Sequence, residues 1–258
     1  MGFPAYLVDN LFDDPDLVGI TVSTEDSVFD RVRLSDKFMG SPFRWTSGAG
    51  GTIELEFSVA KSPTGIFAFN HNALAGSTIE LFGADAASGS DETHTLTFRA
   101  LDVYKQFVPT SARKFWRFSI TGDTQPVGTV TEVGELSLGI LQVLTGRFEF
   151  GWTRVYEKPR FVMRTVRGVD HRVIRNDFDR FRHLFNDITT AMKDEIVALV
   201  EASRGSSDPI AWVPNLTDPD SFYVHFDDNP ITVQSLRFPT WQVELNLKSQ
   251  SRGREILR

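Results

Sequence analysis

Thr52-Ile53-Glu54-Leu55-Glu56-Phe57-Ser58-Val59 alternates polar and apolar residues without a break. Side chains on a strand point to opposite faces in turn, so this octet specifies an extended segment with Ile53, Leu55, Phe57 and Val59 on one buried face. A helix would scatter those four around its circumference. A half-buried strand needs neighbours, and the chain supplies them: 22 of its 258 residues are Phe, a residue suited to pleated, half-buried surfaces.

Further strand signals recur at short intervals. Residues 17–22 form an apolar run interrupted by Gly19. Segments 66–69 and 78–82 read as two apolar strands joined by a polar turn at Asn70-His71-Asn72, with the reversal marked by Gly76. Segments 95–98, 115–120 and 130–138 follow, separated by loops rich in Gly, Ser and Asp. Many short strands at this spacing indicate a sandwich or barrel.

A new pattern begins after 139–146. Segments 148–155 and 161–166 read as strands, and a helix is signalled at about 189–203. Thr189 stands where an N-cap belongs, Met192, Ile196, Leu199 and Val200 share a face, and Gly205 follows the end. Segment 178–188 fits either a helix or a strand, since Phe178, Phe181, Phe185 and Ile188 suit one period and Phe181, His183 and Phe185 the other. Strands return at 210–214, 221–226, 231–236 and 240–247, with a turn at 227–230. The expected organisation is an N-terminal extension over 1–30, a β-sandwich over 31–145 and a β-rich domain with one packed helix over 146–258.

Cysteine is absent, which excludes disulfides and thiolate metal sites. No apolar run approaches the ~18 residues of a membrane span, and the first residues lack the basic and apolar regions of a signal peptide. Neither membrane insertion nor a cleaved leader is expected. Residues 1–145 hold 18 acidic and 10 basic side chains, and residues 146–258 hold 16 and 17. An acidic first half argues against a nucleic-acid surface, and the arginines of 164–182 are interrupted by Asp170, Asp177 and Asp179.

Catalytic signatures are missing. No Gly-x-Ser-x-Gly elbow, phosphate loop or His-Glu-x-x-His helix occurs, so no enzyme activity and no cofactor are expected. His71, His94, His171, His183 and His225 have no local metal-ligand spacing. The carboxylates at Asp13, Asp14, Asp16 and at Asp218, Asp220, Asp227, Asp228 lack the order of a calcium loop and read as exposed turns. Trp45, Trp116, Trp152, Trp212 and Trp241 fall in or beside strands and are expected in the core. Asn70, His71 and Asn72 are the one polar constellation to single out. They either hydrogen-bond a tight turn or present donors to a sugar hydroxyl.

Segment 65–83, with Trp45, Trp116-Arg117-Phe118-Ser119-Ile120 and Gly134-Glu135-Leu136-Ser137-Leu138-Gly139, resembles the galactose-binding-like (discoidin-type) jelly roll in a form common in bacteriophage tail proteins. In the second half, the helix, Ile210-Ala211-Trp212, Phe222-Tyr223-Val224-His225-Phe226-Asp227-Asp228 and Trp241-Gln242-Val243-Glu244-Leu245-Asn246-Leu247 follow an order similar to distal-tail and tail-tip proteins. The resemblance implies a virion structural protein of the tail tip or baseplate, assembled in the bacterial cytoplasm as a homo-oligomeric ring. Its partners would be tail-tube, hub and fibre proteins, with host attachment as a further role. The alternative is a carbohydrate-binding module for a cell-surface glycan.

Overall fold

The computed structural model describes residues 4–7, 9–34, 36–37, 41–144, 152–157, 160–164, 170–174, 178–203, 208–216, 220–237 and 240–249. The strands are, in order, β1 (Ala5–Leu7), β2 (Leu17–Val22), β3 (Phe43–Arg44), β4 (Gly51–Lys61), β5 (Gly65–His71), β6 (Thr78–Ala84) and β7 (Glu92–Leu96). Next come β8 (Leu101–Gln106), β9 (Arg113–Thr121), β10 (Glu132–Val133), β11 (Glu135–Gly139), β12 (Gln142–Val143), β13 (Trp152–Glu157), β14 (Arg160–Arg164) and β15 (Asp170–Ile174). The rest are β16 (Phe178–Ile188), helix α1 (Thr190–Ala202), β17 (Ile210–Val213), β18 (Phe222–Arg237) and β19 (Thr240–Ser249). The chain divides into two compact units: Met1–Leu144 with Ile210–Tyr223, and Thr145–Pro209 with Val224–Arg258.

In the first unit, a five-stranded antiparallel sheet of order β2-β4-β9-β6-β7 faces a three-stranded antiparallel sheet of order β11-β5-β8. Alternation produces the contact. Ile53, Leu55 and Phe57 point inward from β4, opposite Trp116 and Phe118 of β9, and meet Ile66, Ala68, Val103, Leu136 and Leu138 from the other sheet. This is a mainly β fold in which two antiparallel sheets pack face to face as a sandwich. Trp45, Trp116 and Trp212 are wholly buried, as expected of core residues.

The three-stranded sheet is covered on its second face as well. Phe67, Phe69 and Tyr104 stack there, with ring centroids 5.6 and 5.5 Å apart, and Tyr223 lies 5.1 Å from Phe69. Ala5, Leu7, Ala211 and Val213 complete this layer, carried by the antiparallel ribbon β12-β1-β17. Every residue of β5 is therefore buried.

Several sequence expectations need correcting. The strands at 66–69 and 78–82 are not a hairpin pair, because β5 and β6 lie in opposite sheets. Asn70 and His71 belong to the end of β5, where Asn70 takes a positive φ of 53° and the register against β8 shifts. Val59 is 56% exposed although its parity matches Phe57, since the β4–β9 register shifts between Glu56 and Lys61 and turns the strand. Residues 227–230 do not end a strand: β18 runs through them with a register shift between Phe226 and Ile231. Strand β8 had no counterpart in the sequence reading.

In the second unit, β13, β16, β19 and β18 pair antiparallel, and β14 pairs with β15 as a hairpin. Segment 178–188 is strand β16. Phe181, His183 and Phe185 share its buried face, and a bulge at Asp187 (φ 54°) returns Ile188 to the core. Helix α1 packs on β19 through its buried Met192, Ile196, Leu199 and Val200 face, and the Thr189 hydroxyl accepts the Met192 N–H as N-cap. Residues 148–151 and 165–166, read above as strand ends, lie outside the described residues.

Candidate functional site

The sandwich has two loop-bearing ends, and they differ in what their polar groups do. One end gathers the loops after β3, β5 and β9 around Asp123, which is 3% exposed. Its Oδ1 accepts the Leu74 N–H at 3.1 Å and the Ser77 hydroxyl at 3.2 Å. Its Oδ2 accepts Gln125 Nε2 at 3.0 Å and the Thr131 hydroxyl at 2.7 Å. Burial pulls the Asp123 pKa upward, but the hydrogen bonds outweigh it and hold the carboxyl below its usual range. Thr131 Oγ1 in turn accepts the Gly50 N–H at 3.1 Å. Gly50 has φ +80°, and a Cβ there would lie 2.2 Å from the Ile120 carbonyl oxygen, so glycine is required.

Asn70, His71 and Asn72 are brought to this same end. Asn70 and His71 are 2% and 1% exposed; the Asn70 N–H donates to Asp102 Oδ1 at 2.8 Å, and His71 meets Phe98 edge-on at 6.0 Å. The Asn72 amide bridges the backbone of the β10 approach, donating to the Val130 carbonyl and accepting the Glu132 N–H, both at 2.8 Å. Its own carbonyl accepts Gln125 Nε2 at 2.7 Å. These groups knit loops together.

The opposite end carries the β6–β7 and β8–β9 loops. Arg113, the first residue of β9, places Nη1 2.6 Å from Asp85 Oδ2 and 3.3 Å from Asp91 Oδ2. Glu92 sits behind, its side chain 4% exposed, accepting the Thr110 N–H (2.8 Å) and hydroxyl (3.2 Å) while Oε1 lies 3.7 Å from Arg113 Nε. His94 Nε2 is 3.4 Å from Glu92 Oε2, and its ring lies 4.2 Å from that of Phe107. Burial depresses the His94 pKa despite the Glu92 charge, so the imidazole is neutral near pH 7. The β6–β7 loop is braced by the Asp85 N–H on Asp91 Oδ2 (3.0 Å) and the Ser88 N–H on Glu54 Oε2 (2.8 Å). Asp85 and Asp91 remain 65% and 49% exposed at their side chains.

Chemically, this end offers two solvent-facing carboxylates held in place by a guanidinium whose side chain is only 15% exposed and whose orientation is fixed from behind. Val108, 85% exposed on the β8–β9 loop, adds an apolar element. Sequence reasoning did not find Arg113, Asp85 or Asp91. They are remote in sequence, and only the β6–β9 register, with Ala84 opposite Phe115, brings them together.

The other candidates resolve into packing and ion pairs. Asp14 and Asp16 hold Lys61 at 2.9 and 2.7 Å, Asp220 holds Arg99 at 2.7 Å, and Asp227 lies 3.5 Å from Arg180. His183 is buried beside Phe185, and desolvation pushes its pKa down to about 3. Among the described residues, no three His, Asp or Glu side chains are placed to hold one metal ion.

Fold and loop geometry together define a mainly β protein with a jelly-roll sandwich whose two ends are chemically unlike. No family model and no curated protein matches the chain. Among solved structures, it is similar to a family 32 carbohydrate-binding module from Clostridium perfringens, at 10% identity and a TM-score of 0.39 over 50% of this chain and 98% of that one. It is also similar to the family 32 module of Clostridium perfringens NanJ in complex with galactose, at 10% identity and TM-score 0.37, covering 48% and 93% of the two chains. A Streptococcus pneumoniae fucose-binding module matches at 14% identity and TM-score 0.37, covering 47% and 89%.

Proposed function

We propose that this chain is a recognition protein whose sandwich binds a cell-surface glycan at the Arg113 end. The supporting observation is the pre-set trio of Arg113, Asp85 and Asp91, backed by buried Glu92. Vicinal sugar hydroxyls donate and accept at once, so a guanidinium flanked by carboxylates matches them where a single charge would not. A fold hosts many functions, and the reading therefore rests on this site. Among the described residues, none of the large apolar side chains that stand exposed is aromatic. The contact is thus polar, with Val108 beside it, rather than a stacking platform. Calorimetric titration of the chain with galactose, fucose and bacterial surface polysaccharides tests the reading. Saturable binding that disappears in Asp85→Ala with Asp91→Ala supports it; no binding to any of them overturns it.

A second reading, assembly into a bacteriophage tail tip, has one specific observation in its favour. Thr232, Val233, Gln234 and Ser235 of β18 are all exposed, so both faces of this uncharged stretch of the strand stand open to solvent. Such strands invite pairing with another chain. The resemblance to tail proteins has no support in the comparisons above. Solution mass and negative-stain imaging with tail proteins test it: rings or incorporation at a tail end support assembly, and a monomer that never joins tails overturns it.

A further inference from the structure

The cluster at the Arg113 end is unevenly charged. Asp85, Asp91 and Glu92 each place a carboxyl oxygen within 3.7 Å of one guanidinium. Arg113 Nη1 donates to Asp85 Oδ2 at 2.6 Å and to Asp91 Oδ2 at 3.3 Å, while Nη2 turns to Thr110 Oγ1 at 3.4 Å. Asp91 Oδ2 also accepts the Asp85 N–H. The Oδ1 atoms of both aspartates have no bond within the chain among the described residues, and both side chains face solvent. The capacity left over on the outside belongs to acceptors.

The buried member of the cluster is built into the fold. A Cβ on Gly83 would lie 2.9 Å from Glu92 Oε1 and 3.0 Å from Trp116 Cη2, so glycine there leaves the carboxyl its space. Glu92 Oε1 has no hydrogen bond, and neither has the Arg113 Nε that it faces across 3.7 Å. Cations on the adjoining strands are engaged elsewhere. Lys61, the ladder partner of Arg113, holds Asp14 and Asp16. Arg117 lies over the Phe82 ring and 4.0 Å from Glu54, and Lys105 donates to the Thr95 carbonyl at 2.6 Å. Lys114 follows Arg113 on β9, and strand alternation turns it to the other face. Three carboxylates thus share one guanidinium, and the site carries surplus negative charge.

We propose that the Arg113 end selects glycans bearing a free amino group and takes the ammonium against Asp85 and Asp91. This rests on the glycan reading above and narrows its ligand. Ionised carboxylates only accept, so the ligand must donate, and an ammonium brings three donors together with the opposite charge. A sugar hydroxyl brings one donor and no charge. N-acetylation leaves a single amide N–H and removes the charge, so it should weaken binding. A uronate, sulfate or phosphate group meets like charge and is disfavoured. The bracing of Asp91 by the Asp85 N–H, and of both by Arg113, sets the two acceptors before the ligand arrives, which lowers the cost of ordering them.

Calorimetric titration at about pH 6, where aspartates are ionised and sugar amines protonated, compares a glucosamine oligomer with its fully N-acetylated counterpart. The amine form should bind at least about tenfold more tightly, and its affinity should fall as salt is raised. Asp85→Asn with Asp91→Asn removes the charge at constant size and should bring the two affinities within about twofold of each other. Asp85→Asn alone serves if the double variant fails to fold, and should narrow the ratio. Equal affinity for the two oligomers overturns the amine preference and leaves the glycan reading standing. Binding of no glycan at all overturns both. An unchanged ratio in the variants, or equally tight binding of a trilysine peptide, also overturns the preference, placing the amine elsewhere or reducing it to general attraction between charges.

Discussion

The two ends of the sandwich are built from the same kinds of residue and use them in opposite ways. At the Asp123 end, four donors converge on a carboxylate that is 3% exposed, and the neighbouring amides bond loop backbone. At the Arg113 end, one buried carboxylate, Glu92, anchors a guanidinium whose outer partners stand in solvent. Polar density alone does not mark a site. What separates scaffold from site is whether the outermost hydrogen-bonding capacity is already used within the chain.

Breaking the closed end should cost most. Asp123→Ala leaves the Leu74 N–H and three side-chain donors without their acceptor, with a loss of about 3 kcal/mol. Urea unfolding measures it, and a loss below about 1 kcal/mol would erase the contrast. Gly50→Ala follows at about 2 kcal/mol, because the new methyl meets the Ile120 carbonyl at a positive φ. A pH series then isolates the charge. The native Asp123 pKa lies below the ordinary 3.8, so its contribution is complete above that value and fades as pH falls through the lower native pKa. Asp123→Asn should flatten that acid limb of a melting-temperature profile, and an unchanged limb would assign it to another carboxyl.

The open end should behave in reverse. Arg113→Ala should cost about 1 kcal/mol through its partly buried pairs while abolishing glycan binding. Asp85→Ala should change stability by less than about 0.5 kcal/mol yet weaken binding. Equal stability losses at both ends would make the Arg113 cluster a second scaffold.

Much of the β architecture was legible because period-two patterning is local. Ile53, Leu55 and Phe57 were read as one buried face, and Thr189 with Met192, Ile196, Leu199 and Val200 located the helix. Register shifts were not legible. Val59 and Asn70 stand where a strand slips or kinks against its neighbour, and one residue of slip exchanges faces. Segment 178–188 stayed ambiguous because its apolar spacing satisfies both periods until the bulge at Asp187 is known. The Arg113 cluster was hidden for a topological reason: its members meet only once β6 and β9 pair. Glu135 lies in the stretch Gly134–Gly139, but nothing in its neighbours announces that it is wholly buried.

The return of Ile210–Tyr223 to the first unit bears on how the protein emerges from a ribosome. The stacked Phe67, Phe69 and Tyr104 face is closed partly by Ala211, Val213 and Tyr223. Translation must traverse the 65 residues of Thr145–Pro209 before those residues exist, a wait of roughly 3–13 s at common elongation rates. During that interval an aromatic face stays uncovered on the nascent chain, where chaperones or a second nascent chain can reach it. A gene fragment cut at residue 144 would make that interval permanent.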